Sequence, residues 1–342
     1  MCWPVTTEIF GSTQSPMSRM LVLSAVDLQR VLPMPAAIDA MEEAFALNSD
    51  EFQIPVRSQF PLRESNGIFL LMPAHAARLG KIGIKLVSVF PGNASRGIDP
   101  VQASYLLFSG EDGRLLSIMD GKYITAVRTA ATSAVATKWM ARKSASRLSI
   151  FGTGTQAIYH LRAVSLVRPI AEARICGLTT ENSAAFVKAW TQEFPFPLLV
   201  SSSNEAATQA DILCTCTDSS LPVFQGSVLK EGTHINAVGA FRPNTRELDD
   251  DAVRSARIVV DTMDGAMAEA GDILIPLAGG ALTARQIVGD LAQVIAGNAA
   301  GRLNEGEVTI FKSVGFALQD LVTGIKAYES ALQSGLGREI NL

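Results

Sequence analysis

Apolar and polar residues alternate with a period of two through residues 81–90, which is typical of a β-strand. One face of this strand carries Ile82, Ile84, Leu86 and Phe90, and the other carries Lys81, Gly83, Lys85, Val87 and Val89. Two more strand-like runs, at residues 104–108 and 115–119, flank a Gly-containing turn at residues 109–113. This arrangement predicts a β-hairpin within an antiparallel or mixed sheet.

Apolar residues recur at helical spacing both before and after this region of the sequence. A short strand at residues 21–23 is followed by Ser24, a candidate N-cap, and by apolar residues at helical spacing up to Val31. A second helix is predicted over residues 36–47, after two prolines, and another over residues 315–332 near the C-terminus. The first part of the chain is therefore predicted to be α+β.

The pattern changes at about residue 145, where short strands begin to alternate with helical stretches. Such alternation is typical of a parallel, doubly wound α/β sheet. The predicted strands lie at residues 147–151, 174–178, 198–201, 211–217, 234–238 and 257–261.

Composition narrows the class of protein further. The chain has 342 residues, of which 48% are hydrophobic and 18% charged, with a formal net charge of −4. Disorder needs low hydrophobicity and high net charge, and neither is present. An acidic chain lacks the basic face that nucleic acids and anionic membranes attract, so neither is expected as a partner. No run of about 18 apolar residues predicts a transmembrane helix.

Histidine and cysteine content argues against metal and disulfide chemistry. Three scattered histidines leave little material for a zinc site, so no metal is expected. Four cysteines in a chain of this length are expected to be free thiols in a reducing compartment. Residues 1–20 are polar, without the apolar segment of a secretory signal, and are expected to form a loose extension of a cytoplasmic protein.

A glycine-rich motif lies where the doubly wound pattern begins. Residues 151–157 read Phe-Gly-Thr-Gly-Thr-Gln-Ala, directly after a predicted strand and at the start of a predicted helix. Gly152 permits a tight turn, Gly154 lets the backbone approach a pyrophosphate, and Ala157 lets helix and strand pack closely. The motif predicts a dinucleotide site, and the alternative is a glycine turn that only tightens a strand–helix junction.

The choice between NAD(H) and NADP(H) depends on the end of the next strand. A carboxylate for the NAD ribose is expected there, but the sequence has Thr179 and Thr180, and Glu181 comes slightly late. Without an acid, a 2′-phosphate meets no repulsion, and both hydroxyls could hydrogen-bond to it. No arginine lies beside them. The sequence therefore favours NADPH and leaves NADH open.

Three cations before the motif are candidates for binding an anion. Lys85 lies mid-strand, so it is either an edge lysine or one directed into a cleft. Thr125 is a candidate N-cap, which would place Arg128 and Thr129 in the first turn of a helix, where a cation is unfavourable unless an anion neutralises it. Arginine also suits bidentate carboxylate binding. Arg57 is a third candidate, although alone it is more typical of a solvated loop.

These features together resemble the ornithine cyclodeaminase/μ-crystallin family. The matching stretches, in order, are residues 83–87, 119–121, 125–133, 152–157, 210–217, 235–240, 269–272, 311–315 and 320–321. The resemblance implies an α/β fold class with a Rossmann doubly wound parallel sheet at residues 145–315. It also implies an α+β substrate-binding and dimerisation domain, formed by residues 21–144 and 316–342, and a homodimer.

The resemblance assigns candidate roles to individual residues. It implies that Arg57, Lys85 and Arg128 surround a substrate carboxylate. The residues it implies around the cofactor are Thr129, Gly152, Gly154, Thr155, Gln156, Ala157, Thr179, Thr180, Cys216, Thr217, Val238, Gly239 and Ser313.

One position departs from the cyclodeaminases of this family. They carry an Asp general acid/base soon after a Val-Gly-Gly/Ala segment, whereas residues 239–244 here read Gly-Ala-Phe-Arg-Pro-Asn, with Phe241 at the Asp position. This is more similar to the μ-crystallin and ketimine reductase branch. Cyclising ornithine needs a base, whereas reducing a preformed cyclic imine needs a carboxylate anchor, a protonated imine and a hydride. The substitution favours the reductase.

The resulting hypothesis is an NAD(P)H-dependent reductase of cyclic α-imino acids. Its substrates would be Δ1-pyrroline-2-carboxylate and Δ1-piperideine-2-carboxylate, and its products L-proline and L-pipecolate. Arg128, helped by Arg57, would hold the carboxylate, and Lys85 would contact the carboxylate or the imine. The proton donor stays open between a bound water, the iminium itself and Glu269. The alternatives are an ornithine cyclodeaminase, an alanine-dehydrogenase-like enzyme and a non-enzymatic ligand-binding protein.

Overall fold

The computed structural model describes residues 19–47, 49–55 and 57–341. The predicted loose extension at residues 1–20 lies outside this range, except for Arg19 and Met20, which begin the first strand. The elements before residue 145 are β1 (Arg19–Leu23), α1 (Ala25–Val31), α2 (Met34–Phe45), β2 (Phe52–Gln53), β3 (Ser58–Leu62), β4 (Gly67–Ala76), β5 (Lys81–Val89), β6 (Val101–Ser109), β7 (Leu115–Asp120) and α3 (Gly121–Met140).

Strands and helices alternate after residue 145. They are β8 (Arg147–Phe151), α4 (Thr155–Val167), β9 (Glu172–Cys176), α5 (Thr180–Trp190), β10 (Leu198–Val200), α6 (Ser203–Gln209), β11 (Ile212–Thr215), β12 (His234–Ala237), α7 (Asp250–Arg254), β13 (Arg257–Val260), α8 (Met263–Glu269), α9 (Gly271–Ala278), β14 (Ile287–Asp290), α10 (Leu291–Ile295) and β15 (Thr309–Lys312). The chain ends with α11 (Ala317–Ser334) and β16 (Arg338–Asn341).

The first sheet has the order β16-β1-β7-β6-β5-β4-β2, with β3 also paired to β4. Only β1 and β7 pair in parallel among these strands of the described chain, so the sheet is mixed, as predicted. On β5, the face with Gly83 and Lys85 is buried, whereas Ile82, Ile84 and Leu86 on the other face are half-buried. Helix α11 packs on this sheet at β4 and β5 and returns the C-terminal chain to the first domain.

Two glycines allow α11 to approach the sheet closely. A Cβ at Gly83 would overlap the Tyr105 hydroxyl, and a Cβ at Gly324 of α11 would lie 2.5 Å from Cε1 of the same ring. Tyr105 is almost fully buried between them. Because neither position has room for a side chain, the helix and the sheet are held in one relative position.

The second sheet has the order β10-β9-β8-β11-β12-β15-β13-β14, and its strands pair in parallel. Helices separate most of these strands, which confirms the predicted doubly wound α/β class. Strands β14 and β15 were not predicted. Each has four residues, and a glycine in β14 and a lysine in β15 interrupt the apolar pattern.

The predicted start of α3 was wrong. The N-cap is Asp120, whose carboxylate accepts a hydrogen bond of 2.7 Å from the Tyr123 amide. Thr125 lies inside the helix and donates its hydroxyl to Gly121 O at 2.8 Å. An aspartate at the end of β7 therefore begins the helix one turn earlier, because it can cap the first free amides. Arg128 consequently lies two turns into α3, away from the helix N-terminus.

Helix α3 connects the two sheets. It is buried along most of its length and packs on α2 and α4, and it also contacts β12 and β15 of the second sheet. At this contact, the Asn236 side-chain amide of β12 donates a hydrogen bond of 2.9 Å to the Thr137 hydroxyl. Both residues are fully buried. This polar contact therefore ties the first part of the chain to the parallel sheet.

We expect Thr137→Val to lower the free energy of unfolding by about 1–3 kcal/mol, because it keeps the side-chain shape but leaves the buried Asn236 amide with only the weak acceptor Cys214 Sγ. Chemical denaturation measures the change. Thr323→Val is the matched control, since the buried Thr323 hydroxyl has no hydrogen-bond partner among the described residues. Equal destabilisation by the two variants would contradict the importance of the contact.

Candidate functional site

The carboxyl ends of the parallel strands share one edge of the second sheet. The chain runs from β8 through α4 to β9 on one side of β8, and later returns to β11 on the other side. Ligands of open α/β sheets bind at such a reversal of strand order. Gly152 and Gly154 follow β8 at this point. The glycine motif therefore lies where the fold provides a crevice.

The glycine turn has the geometry of a phosphate-binding loop. Gly152 has a φ of +107°, and a Cβ there would lie 2.5 Å from Cys216 O of the neighbouring loop. Gly154 is the N-cap of α4 and has no side chain to cap the free amides of Thr155 and Gln156. A Cβ at Gly154 would have no atom within 4 Å, so this helix start faces open space. The described residues therefore fit a pyrophosphate at the N-terminus of α4.

The residues predicted to contact the adenosine ribose follow the end of β9. Thr179 is the N-cap of α5 and accepts a hydrogen bond of 3.2 Å from the Asn182 amide, and Thr180 begins the helix. Leu178 is 97% exposed beside them. The structure thus presents an apolar side chain and two hydroxyls at the position where an NAD-specific site carries an acid.

A buried glutamate organises the loops after β11 and β12. Both carboxylate oxygens of Glu247 accept hydrogen bonds, from the Thr217 amide at 2.8 Å, the Thr217 hydroxyl at 2.7 Å and the Gly239 amide at 2.7 Å. A Cβ at Gly239 would overlap Thr217 O. Cys216, Thr217, Val238 and Gly239 are therefore held together at the same sheet edge as the glycine turn.

The residues that support Glu247 were not predicted from the sequence. Asp272 accepts a hydrogen bond of 2.7 Å from the Glu247 amide, and Lys312 donates to Asp272 at 2.8 Å and to Ala240 O at 2.6 Å. All three side chains are buried. Burial and the nearby Asp272 raise the pKa of Glu247. The lysine that interrupts the apolar strand β15 was the local signal for a buried charged group.

Asp261 connects the carboxyl-end edge of the second sheet, where the glycine turn lies, to the candidate substrate site. It follows β13 and accepts hydrogen bonds from the Ser313 hydroxyl at 3.0 Å, the Val314 amide at 2.9 Å and the Gly315 amide at 2.6 Å. Gly315 has a φ of +78°, and a Cβ there would lie 2.6 Å from Arg128 Nη1. The loop that carries Ser313 therefore packs directly on the Arg128 guanidinium.

Lys85 and Arg128 share one buried carboxylate. Lys85 Nζ lies 2.7 Å from Asp320 Oδ2, and Arg128 Nε lies 3.1 Å from Asp320 Oδ1. Arg128 Nη1 also donates to Gln319 Oε1 at 2.8 Å. Lys85 is in a central strand and almost fully buried, which excludes the edge-lysine interpretation. Two cations around one anion leave one positive charge for a ligand to neutralise.

Burial is the main reason why the pKa of Lys85 falls to about 8. The charge of Asp320 and its hydrogen bond oppose this fall, whereas the charges of Arg128 and Arg57 add to it. Lys85 is therefore mostly protonated at neutral pH and close to losing its proton in mild alkali.

Arg57 forms an ion pair with Glu269 of α8, and both side chains line a cavity of about 410 Å³. The rest of the wall is largely apolar, but it also contains the carboxylates of Asp261, Asp264 and Asp290; the apolar part includes Phe45, Phe52, Ile54, Pro55, Met72, Gly315, Phe316 and Leu318. Lys85 and Arg128 are not in this wall. Lys85 is the cross-strand neighbour of Met72, and Arg128 contacts Gly315, so both adjoin the cavity. Burial raises the pKa of Glu269, although Arg57 lowers it in part.

The buried histidines serve structure and not proton transfer. His160 lies 2.9 Å from the Ser133 hydroxyl and 2.8 Å from Gln156 O, and burial lowers its pKa to about 4. Burial lowers the pKa of His234 to about 3.

Thr129, a predicted cofactor residue, lies one turn before Ser133 and donates its hydroxyl to Thr125 O at 2.6 Å. Its hydroxyl is therefore bound within α3, and its side chain is buried.

Phe241 is half-exposed after β12, and the Arg242 guanidinium lies 5.5 Å from its ring centroid. This side chain cannot transfer a proton.

Within the described residues, no cluster of three or more His, Cys, Asp or Glu could hold a metal ion, and Cys176, Cys214 and Cys216 are free thiols. None of the helices in the described ranges is long and apolar enough to span a membrane.

The two sheets and the glycine turn define a protein of the dinucleotide-binding α/β class, and comparison with known proteins identifies the family. Residues 18–335 match the sequence model of the ornithine cyclodeaminase/mu-crystallin family. The chain belongs to this family. It is 37% identical to a Delta(1)-pyrroline-2-carboxylate reductase of Bacillus cereus over 324 residues, which cover 94% of this chain and 99% of that protein.

Two solved structures are also similar. One is a Delta(1)-pyrroline-2-carboxylate reductase of Thermococcus litoralis in complex with NADH and L-proline, with a TM-score of 0.90 and 38% identity over 94% of this chain and 100% of that one. The other is an archaeal alanine dehydrogenase dimer with bound NAD, with a TM-score of 0.88 and 34% identity over 95% of this chain and 99% of that one.

We expect Gly152→Ala and Gly154→Ala to differ in a way that tests the phosphate loop. Gly152→Ala should lower the thermal unfolding temperature, because its Cβ meets Cys216 O at a φ of +107°. Gly154→Ala should fold normally but weaken NADPH and NADH binding at least about tenfold, because the added methyl enters the space beside the helix start. Nicotinamide fluorescence measures the binding.

Gly92→Ala is the control, since a Cβ there also has no atom within 4 Å, but the residue lies outside both sheets. It should change neither stability nor cofactor binding. Unchanged cofactor binding by the Gly154→Ala variant would contradict the proposed phosphate position.

Proposed function

We propose that this chain is an NAD(P)H-dependent reductase of cyclic α-imino acids, which converts Δ1-pyrroline-2-carboxylate to L-proline and Δ1-piperideine-2-carboxylate to L-pipecolate. The observation that carries the proposal is the buried pair Lys85 and Arg128 around Asp320, which leaves one positive charge for a substrate carboxylate beside the cofactor edge. The similarity to reductases of pyrroline-2-carboxylate supports this substrate class.

Arg128 and Arg57 hold the substrate carboxylate in this proposal. Arginine can bind a carboxylate through two parallel hydrogen bonds, and here both guanidinium groups lie at or next to the cavity. At Arg57 the substrate carboxylate takes the place of Glu269, so binding exchanges one ion pair for another. Lys85 contacts the carboxylate or the imine and orients the ring. The bound nicotinamide supplies the hydride that reduces the C=N bond.

The product nitrogen must also gain a proton. Glu269 lines the cavity, and its raised pKa lets it hold a proton closer to neutral pH than an exposed carboxyl group. Lys85, with a pKa of about 8, is the other donor near the imine. Either group regains its proton from solvent after turnover, whereas His160 and His234 are fully buried and do not line the cavity.

A cyclodeaminase is the weaker interpretation, because Phe241 stands where those enzymes use an acid. An alanine-dehydrogenase-like activity is a second candidate, since an archaeal alanine dehydrogenase has a closely similar structure. A largely apolar cavity of about 410 Å³ favours a ring over the methyl group of alanine.

The assay that decides among these functions follows oxidation of NADPH or NADH with each cyclic imine, beside ammonia release from L-ornithine and pyruvate amination. We expect oxidation with both imines, with L-proline and L-pipecolate as products and no ammonia from ornithine. Ammonia release without imine reduction would contradict the proposal. Inactivity in every assay together with tight ligand binding would indicate a non-enzymatic binding protein.

We further propose that NADPH is the preferred cofactor and that NADH is also accepted. The support is the absence of an acid at Leu178, Thr179 and Thr180, where a carboxylate would bind an NAD ribose and repel a 2′-phosphate. The Thr180 hydroxyl can donate to the phosphate, whereas the Thr179 hydroxyl already donates to Asn182 Oδ1 at 3.1 Å, and no arginine adjoins them in the sequence.

The structure also supports a homodimer formed through the first sheet. The face of the sheet opposite α11 carries half-exposed apolar cross-strand neighbours, namely Leu71, Pro73, Ile82, Ile84, Leu86, Leu106 and Phe108. A continuous apolar face of this kind is typical of an interaction surface. We propose a cytoplasmic location, for which the free thiols are the support.

We expect Leu178→Arg to lower the KM for NADPH about tenfold and to leave the KM for NADH nearly unchanged. An added guanidinium would donate charged hydrogen bonds to the 2′-phosphate, which contribute about 1.5 kcal/mol or more. Leu303→Arg is the matched control, because it adds the same charge at another exposed leucine, before β15. No change in the NADPH KM, or an equal change in the control, would contradict the assigned ribose position.

A further inference from the structure

Three separate parts of the chain meet at Asp320. Lys85 comes from β5, Arg128 from α3 and Asp320 from α11, and the sequence separations from Asp320 are 235 and 192 residues. Asp320 has no exposed surface, and each of its carboxylate oxygens binds a different cation. Asp320 contacts both cations that adjoin the cavity but does not itself line the cavity wall.

We propose that Asp320 is a positioning residue of the imine reductase site. It holds the Lys85 ammonium and the Arg128 guanidinium at a fixed spacing and keeps Lys85 charged, so that the substrate carboxylate and ring are oriented for hydride transfer. This inference rests on the proposed function. It adds to that function a residue that does not touch the substrate and acts through the two cations that do.

The position of Asp320 is itself rigid. One turn after it, Gly324 packs against the Tyr105 ring, and a Cβ at Gly324 would lie 2.5 Å from that ring. Tyr105 in turn fills the space above Gly83, two residues before Lys85. Helix and strand therefore cannot shift relative to each other without a clash. Because both partners are fixed, the 2.7 Å contact between Asp320 and Lys85 fixes the ammonium as well.

Electrostatics give the carboxylate a second effect. The groups that face Lys85 are Asp320 from α11, Arg128 from α3, Arg57 from the chain before β3, and Tyr105 from β6. Burial and the charge of Asp320 raise the pKa of Tyr105 well above its usual range, so this residue stays neutral. Asp320 is thus the anion that opposes burial and two arginines at Lys85. Its removal must lower the pKa of Lys85 below about 8.

The direction of the pH effect follows from this. If protonated Lys85 is needed for turnover, wild-type kcat/KM falls as pH rises through the pKa of Lys85. With Asp320→Asn the lysine loses its proton at lower pH, so the alkaline limb of the profile moves to lower pH. A role confined to folding would lower activity without moving this limb.

The test compares the pH profiles of kcat/KM for the wild type, Asp320→Asn and Asp320→Glu, with Δ1-pyrroline-2-carboxylate as substrate. We expect Asp320→Asn to lower kcat/KM about 100-fold, as a misplacement of about 1 Å does, and to move the alkaline limb down by about one pH unit or more. Asp320→Glu should lower kcat by displacing the cations, but it keeps the charge and should leave the limb in place.

Glu329→Gln is the matched control, because it makes the same kind of change at an exposed position of the same helix. It should leave both kcat/KM and the limb unchanged. Thermal unfolding and NADPH fluorescence show whether each variant folds and binds cofactor. Lys85→Arg keeps the test valid if Asp320→Asn does not fold, since an arginine stays charged and should remove the alkaline limb. A limb that does not move in Asp320→Asn, or that persists in Lys85→Arg, would overturn the inference.

A binding measurement separates this inference from the proposed function. If the wild type reduces neither imine, the proposed function fails, and calorimetric titration with L-proline in the presence of NADH then tests Asp320 by itself. We expect weaker L-proline binding by Asp320→Asn at every pH, with the loss growing above neutral pH. Equal L-proline binding by the two proteins would overturn the inference. If the wild type reduces imines but the limb stays in place in Asp320→Asn, only the role of Asp320 fails.

Discussion

Asp320 lies in the first turn of α11, out of contact with solvent, and its two oxygens bind Lys85 of β5 and Arg128 of α3. A carboxylate buried in this way is stable only when its partners are in place, so helix, strand and α3 must pack together before the site exists. The same packing leaves one positive charge next to the cavity. In the proposed function, that remaining charge binds the carboxylate of the substrate.

Buried carboxylates also hold separate segments together at the edge of the second sheet where the cofactor is expected. Glu247 holds the loops after β11 and β12, and Asp261 holds the loop from Ser313 to Gly315, which packs on Arg128. Each uses backbone amides as donors, so loop conformation and charge are fixed together. The Asp261 network meets the Arg128 guanidinium at Gly315, whose missing side chain lets the loop from Ser313 to Gly315 approach that cation closely. The cofactor and substrate sites are therefore parts of one packed unit.

Local patterns in the sequence predicted the elements but not their long-range partners. The alternation in β5 and the glycine motif after β8 were visible because each depends on neighbouring residues. The predicted start of α3 was wrong because Thr125 and Asp120 are both suitable N-cap residues. Only the end of β7 at Asp120 decides between them. Glu247, Asp261 and Asp320 act on residues far away along the chain. No periodicity distinguishes such acids from solvated ones, although the buried Lys85 and Lys312 signal that anions are needed nearby.

The central claim is that the carboxylate of the substrate is held by the two cations that Asp320 positions. A crystal structure of the protein with NADH and L-proline tests it most directly. We expect the proline carboxylate to lie within hydrogen-bond distance of Arg128 and Lys85, with Asp320 still bound to both. A carboxylate bound to Arg57 alone, or at the apolar end of the cavity, would contradict it.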